Sequence, residues 1–362
     1  MNWKAYIKIF LIIAILAVIA LAAYWFFSQP NTLQSINSAL FGQKETPTGN
    51  GKSSVETGGL NQLTAEPIFD YWINDKDNSV YYLNEAGSVY KISGTENKLI
   101  NSQTLGGLNK IQRSRDGNKI SAKFNYPNFP IFSIFDASSA SWQPIPGNIL
   151  SLAWSPVSDE IMYLDHNSLN ILNLTTQKPK KLLDMTQKDL ELNWLSDTKA
   201  LFSTTPTIYM PTSVWTLDTN TKTITAVVQN EYGLTVNWLK NGSVGIKLNN
   251  IQRNPVLSAI DKDGNALATF TFVTLPSKCA GELEKIYCAI PKNIPEGAKL
   301  PDDYYKKAVY FDDAIYAIDI KADTAELLFD EKSIDAEHLE LFNNTLLFKN
   351  RLDEKLYSLK IK

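Results

Sequence analysis

The side chains able to do acid, base, nucleophilic or metal chemistry are few and scattered. The chain holds two histidines, His166 and His338, and two cysteines, Cys279 and Cys288. Catalytic triads and zinc sites need several such groups brought together, and neither H-E-x-x-H nor paired C-x-x-C motifs occur. His166 follows Asp165 and His338 stands two residues before Glu340, both in stretches that read as loops or turns. The acidic runs N-D-K-D-N-S (74–79) and D-K-D-G-N (261–265) have the look of calcium loops but lack the Glu at the twelfth position, and read as solvated hairpin turns. G-N-G-K-S (49–53) has Thr46 where a phosphate-binding loop needs its first Gly, and no strand or helix flanks it. No catalytic, cofactor-binding or metal-binding residue is therefore assigned.

Two features remain. Cys279 and Cys288 have the spacing of neighbouring strands in one hairpin. They form either a disulfide, whose short loop is worth about 2–3 kcal/mol, or a pair of buried thiols. The stretch I-P-K-N-I-P-E-G-A-K-L-P-D-D-Y-Y-K-K at 290–307 is stiffened by Pro291, Pro295 and Pro301. Its Asp302, Asp303, Tyr304 and Tyr305 set carboxylates beside aromatics. This is a candidate partner-binding loop, because long loops on rigid scaffolds carry function. The competing reading is a strap packed against its own sheet.

The elements that must hold these residues are written as a repeat. I-L-S-L-A-W-S-P-V-S-D-E-I-M-Y-L-D (149–165), D-L-E-L-N-W-L-S-D-T-K-A-L-F-S (189–203) and G-L-T-V-N-W-L-K-N-G-S-V-G-I-K (233–247) share one pattern. An apolar alternation ends in an aromatic, a polar turn follows, and a second alternation returns: a β-hairpin. With Trp154 as marker, Trp72, Arg113, Trp194, Trp238, Cys279 and Asn343 take the same place, at steps of 41, 41, 40, 44, 41 and 64 residues. A step of about 40–45 marks four-stranded propeller blades, and the long step accommodates the 290–307 insertion. A second phrase interleaves, an alternation ending at Ser93, Asp136, Asn173, Asp218, Asp261, Asp319 and Lys360. Asp suits that place because its side chain bonds the backbone of a tight turn.

Seven units of two hairpins predict an all-β, seven-bladed β-propeller with four-stranded antiparallel blades; six or eight blades are the alternatives. The marker tryptophans are expected to pack between blades. The last unit lacks one strand, and residues 59–66 are expected to supply it, joining the two ends of the chain and removing an open edge.

Residues 9–27 carry no charge, follow Lys4 and Lys8, and precede a stretch free of Lys and Arg until Lys44. They predict a transmembrane helix with residues 1–8 cytoplasmic and the remainder exported. A cleaved signal peptide ending near Ala20-Leu21-Ala22 is the alternative. Residues 28–59 read as a flexible tether, and 60–362 as the propeller domain.

W-S-P-V-S-D-E-I-M-Y resembles the repeat of TolB-like and WD40-like bacterial propellers. Trp154, Ser155, Pro156, Ile161 and Tyr163 fit its pattern, while Val157-Ser158 stand where Asp-Gly is usual. The resemblance implies an extracytoplasmic or scaffold protein that binds other proteins. With a net charge of -3 and no basic block, no nucleic-acid partner is expected. The expectation is a membrane-anchored, extracytoplasmic protein-binding module of the cell envelope with no cofactor. An enzyme of the central funnel and a carbohydrate- or small-ligand-binding module are the alternatives.

Overall fold

A computed structural model describes residues 59–361 apart from 95, 126–129, 240, 241, 283 and 323. The segments 1–8, 9–27 and, but for Gly59, 28–59 lie outside the described residues, as does G-N-G-K-S. No helix among the described residues is long and apolar enough to cross a membrane.

The alternations become antiparallel strands in six sheets. Four-stranded sheets occupy 68–101, 108–144, 151–184 and 279–329. Between the third of these and the last lies a seven-stranded sheet over 190–269. Its strand Ile224–Trp238 is shared. The half up to Tyr232 pairs with Pro211–Asp218, and the half from Tyr232 onward pairs with Val244–Ile251. The last sheet joins Ala336–Phe342, Thr345–Asn350 and Lys355–Lys360 to Leu60–Gln62 from the start of the domain. Leu60, Asn61 and Gln62 stand opposite Leu359, Ser358 and Tyr357, so the missing fourth strand comes from the other end of the chain as expected.

Both sequence phrases map onto this architecture. Ser93, Asp136, Asn173, Asp218, Asp261, Asp319 and Lys360 each end a third strand. At Asp136, Asp218 and Asp261 the Oδ1 accepts the backbone N–H two residues on, at 2.8–2.9 Å, the local bond for which Asp suits such turns. Trp72, Trp154 and Trp194 pack between sheets, and Trp238 between the two halves of the seven-stranded sheet. Trp72 is buried, donates its Nε1 to the Gly117 carbonyl of the next sheet at 3.1 Å, and meets Phe135 edge-on. Gly117 is required there, for its φ is +66° and a Cβ would lie 1.9 Å from the Ile73 carbonyl oxygen. Trp154 donates to the Gln112 carbonyl of the sheet before it at 3.0 Å. Asn343 departs from the pattern: it lies in the turn after Phe342, with φ 47°.

The core follows from stacking sheets that cannot bury both faces alone. Among the described residues the buried apolar side chains form seven clusters, each bridging successive groups of strands. One lies within the seven-stranded sheet, between Leu201 and Val214 on one side and Leu234 and Ile260 on the other. Another joins Ile68 and Tyr71 of the first sheet to Leu347 and Leu356 of the last, so the sequence of stacked sheets closes on itself.

Candidate functional site

The first strands of the sheets surround a central channel, with two overlapping cavities of about 820 and 940 Å³. Strand Leu190–Ser196 shows how a strand presents polar groups to it. Leu190, Leu192 and Trp194 are buried, while the alternate residues Glu191 and Asn193 are exposed, as a period of two requires. Lys110, from strand Leu108–Arg113, reaches across the channel to Glu191 at 2.9 Å. That ammonium holds the Glu191 carboxyl below its ordinary range. Arg113 lies 3.3 Å from Asp75 and donates to the Ile73 carbonyl.

His338 is not the loop or turn residue that the sequence suggests. It lies within strand Ala336–Phe342, where a bulge between Glu337 and Glu340 breaks the register, and its φ is +52°. The bulge re-aims the side chain. Its Nδ1 stands 2.7 Å from Asp70 and its Nε2 3.2 Å from Glu340, and Tyr71 donates its hydroxyl to the His338 carbonyl. Burial alone would lower the imidazole pKa, but the charge and hydrogen bond of Asp70, with those of Glu340, raise it well above its ordinary value. Both ring nitrogens therefore face carboxylates, an arrangement that favours the protonated imidazole. His166 lies in the turn after strand Glu160–Leu164, where Asp165 accepts the Asn167 and Ser168 amides.

The insertion runs from 292 to 312, between strands Lys285–Pro291 and Asp313–Asp319, rather than from 290 to 307. It contains a four-residue helix, Asp302–Tyr305. Its far end is fastened to the seven-stranded sheet. Asp302 accepts the Thr207 hydroxyl and the Ile208 amide, both at 2.9 Å, and Asn250 donates to the Leu300 carbonyl at 2.9 Å. Its near end sits on a dry ionic cluster. Lys278 reaches both Asp313 and Asp335, the latter at 2.6 Å, and Asp335 also accepts Arg351 at 2.7 Å. These four side chains are at most 1 % exposed. Burial raises the Asp313 carboxyl above its ordinary value against the pull of Lys278. Arg351 lies over the Tyr304 ring at 3.8 Å and donates to the Tyr304 carbonyl, and Tyr304 stacks on Phe311.

The four candidate loop residues therefore separate. Asp302 and Tyr304 are buried and hold the insertion down, and Asp303 closes a local turn by accepting the Lys299 amide. Tyr305 lines the channel and is half exposed there. Cys279 and Cys288 are directly opposed and joined as a disulfide. Among the described residues, no three His, Cys, Asp or Glu side chains are grouped as a metal site would need. The dry cluster was missed in the sequence because its members, from 278 to 351, share no spacing. The positive-φ bulge that aims His338 leaves no local motif either.

The face that carries the insertion is also apolar. Tyr209, Met210, Tyr232 and Ile251 are exposed there. Pro211 stands opposite Tyr232, and Tyr232 opposite Asn250, which brings the strand ends next to Met210 and Ile251 together at this face. Lys299 and Lys306 of the insertion approach the Tyr209 ring at 5.6 and 6.0 Å. The chain enters the domain from the opposite face. Leu60–Gln62 runs antiparallel to Lys355–Lys360, after which Leu63 and Ile68 donate to the Leu356 and Glu354 carbonyls near the 351–354 turn. Gly59 is consequently at the end remote from the insertion.

Compared as a sequence, the chain matches no protein-family model and no curated protein. Its fold is similar to several solved propellers. The oligogalacturonate lyase of Vibrio parahaemolyticus is 9 % identical with a TM-score of 0.59, over 86 % of this chain and 95 % of that one. The WD40 repeats of RRP9 are 11 % identical at 0.55, over 85 % and 99 %. The tricorn protease is 10 % identical at 0.55, over 85 % of this chain but only 34 % of its own. At such identities the likeness shows the fold alone: a WD40- and TolB-like β-propeller.

Proposed function

We propose that this chain is a seven-bladed propeller, tethered to a membrane by residues 9–59, whose insertion-bearing face docks a protein outside the cytoplasm. Seven blades follow from counting the two halves of Ile224–Trp238 separately, and the seven apolar cores, six between sheets and one between those halves, support the count. The observation that carries the docking role is the exposure of four large apolar side chains, Tyr209, Met210, Tyr232 and Ile251, at neighbouring strand ends of one face. Exposed aromatic and Met side chains are the residue types enriched at protein interfaces. One observation supports the exported setting: a disulfide persists in oxidising compartments. Gly59 at the remote face would let a tether point the apolar face away from its anchor.

The test is a photoreactive residue at Tyr209 or Tyr232, against one at Leu99 on an outer strand, in cells carrying the full chain. The reading expects a discrete adduct from positions 209 and 232, abolished by Met210→Ser with Ile251→Ser, and none from 99. Equal adducts from all three positions, or none from the first two, would overturn it.

A further inference from the structure

The channel floor, distinct from the docking face, has a chemistry of its own. Its charges are matched: Lys110 with Glu191 at 2.9 Å, Arg113 with Asp75 at 3.3 Å, and His338 with Asp70 and Glu340 at 2.7 and 3.2 Å. Arg115, at the mouth opposite the insertion, and Glu85 and Glu282 of the second cavity lie outside these pairs. An ionic ligand within the channel would have to break one of these pairs. An apolar ligand would strip water from all of them, at the cost that burying charged groups carries. What the walls do offer is dense hydrogen bonding beside one aromatic face. Glu191 and Asn193 point the same way from one strand, and the Asn193 amide makes no side-chain hydrogen bond among the described residues. Tyr305 supplies a half-exposed ring from the insertion. Its hydroxyl is close enough to Glu191 for that carboxylate's charge to add to the effect of burial in holding its proton.

We infer that the channel binds a neutral saccharide, its ring stacked on Tyr305 and its hydroxyls shared between Glu191, Asn193 and Lys110. A sugar ring has an apolar face for the aromatic and adjacent hydroxyls that both donate and accept, which matches paired charges without displacing them. The cavities fall within the ~300–1,000 Å³ of small-molecule sites, and they extend to the turn residues Asp75 and Pro156 at the face away from the insertion, which gives the route of entry.

The experiment is calorimetric titration of the full chain in detergent. The probes are glucose and N-acetylglucosamine trimers, trigalacturonate as the anionic control, and an uncharged capped tripeptide. The inference expects saturable binding of at least one neutral trimer. It expects that binding to weaken about fivefold or more in Tyr305→Ala and in Asn193→Ala. Asn193 is exposed, so Asn193→Ala should unfold at the wild-type temperature and report on binding alone. Tyr305→Phe should retain most affinity if stacking dominates. Three results would overturn the inference: no neutral trimer binds; trigalacturonate or the tripeptide binds in their place; or both alanine variants bind the trimer as wild type does. None of these outcomes bears on crosslinking at Tyr209, so the docking role stands or falls separately.

Discussion

The Lys278–Asp313–Asp335–Arg351 cluster and the Asp70–His338–Glu340 cluster use the same charges in opposite settings. The first is dry, with side chains at most 1 % exposed. Its carboxylates also accept backbone amides, Phe311 on Asp335 and Ala336 on Asp313. The second borders the channel, where Asp70, His338 and Glu340 are 23, 40 and 21 % exposed. In the dry cluster each charge depends on its partners, because no water can replace them. In the channel, water substitutes for a lost partner and salt screens the rest. The difference separates a device that fixes the insertion from a surface open to a ligand.

The strongest way to break that comparison is Asp335→Asn. It leaves Lys278 with Asp313 alone and Arg351 with only Glu337, 3.6 Å away, in a site closed to solvent. A loss of about 3–5 kcal/mol is expected in urea unfolding, with faster proteolysis of the insertion. Wild-type stability would mean that the cluster is hydrated and the contrast false. The disulfide lies beside Lys278 in the chain and staples the first two strands of that sheet. Cys279→Ser with Cys288→Ser should cost less, about 2–3 kcal/mol for so short a loop, and added reductant should reproduce the loss. Asp302→Asn probes the far end of the insertion. It keeps one acceptor, so a loss of about 1 kcal/mol is expected, confined to the Thr207–Ile208 fastening. Hydrogen exchange at the Ile208 amide should quicken while global unfolding barely moves. Equal protection in both proteins would mean that Asp302 fastens nothing.

What is local and periodic in this fold is legible in the sequence. Alternation placed the strands, and the Asp-ended phrases located the third-strand ends, because one side chain bonding its own turn is written within a few residues. Ring closure by Leu60–Gln62 was also legible, since an incomplete last unit leaves an edge that only the other end of the chain can cover. The site was far less legible. Lys278 and Arg351 are separated by most of two sheets, and nothing in P-S-K-C or K-N-R-L announces that both meet Asp335. The insertion was recognised as unusual by length, but which of Asp302, Asp303, Tyr304 and Tyr305 faces solvent depends on where the strap crosses the ring, and no periodicity encodes that. His338 differs from its sequence expectation for a related reason: a bulge adds a residue without altering the composition of its strand, so a channel-facing imidazole looks like a turn residue.

The smallest expected effect, and the one that most sharpens the contrast, concerns pH. His338 has a folded-state pKa well above its ordinary value, because Asp70 and Glu340 outweigh the effect of burial. A base whose pKa rises on folding binds its proton more tightly in the native state. Its contribution to stability is therefore full below the unfolded value of about 6.5 and is lost as pH rises through the higher folded value. His338→Asn suits the positive φ but carries no charge. The wild type should exceed it in unfolding temperature at pH 5.5–6, and the gap should narrow steadily in alkaline solution. Because water reaches this cluster, 0.5 M salt should also narrow the gap, whereas the loss in Asp335→Asn should be nearly insensitive to salt. A gap that is constant from pH 5.5 to 10 would show that His338 holds no additional proton in the folded protein, and the channel cluster would then be a set of neutral hydrogen bonds rather than the wet counterpart of the buried one.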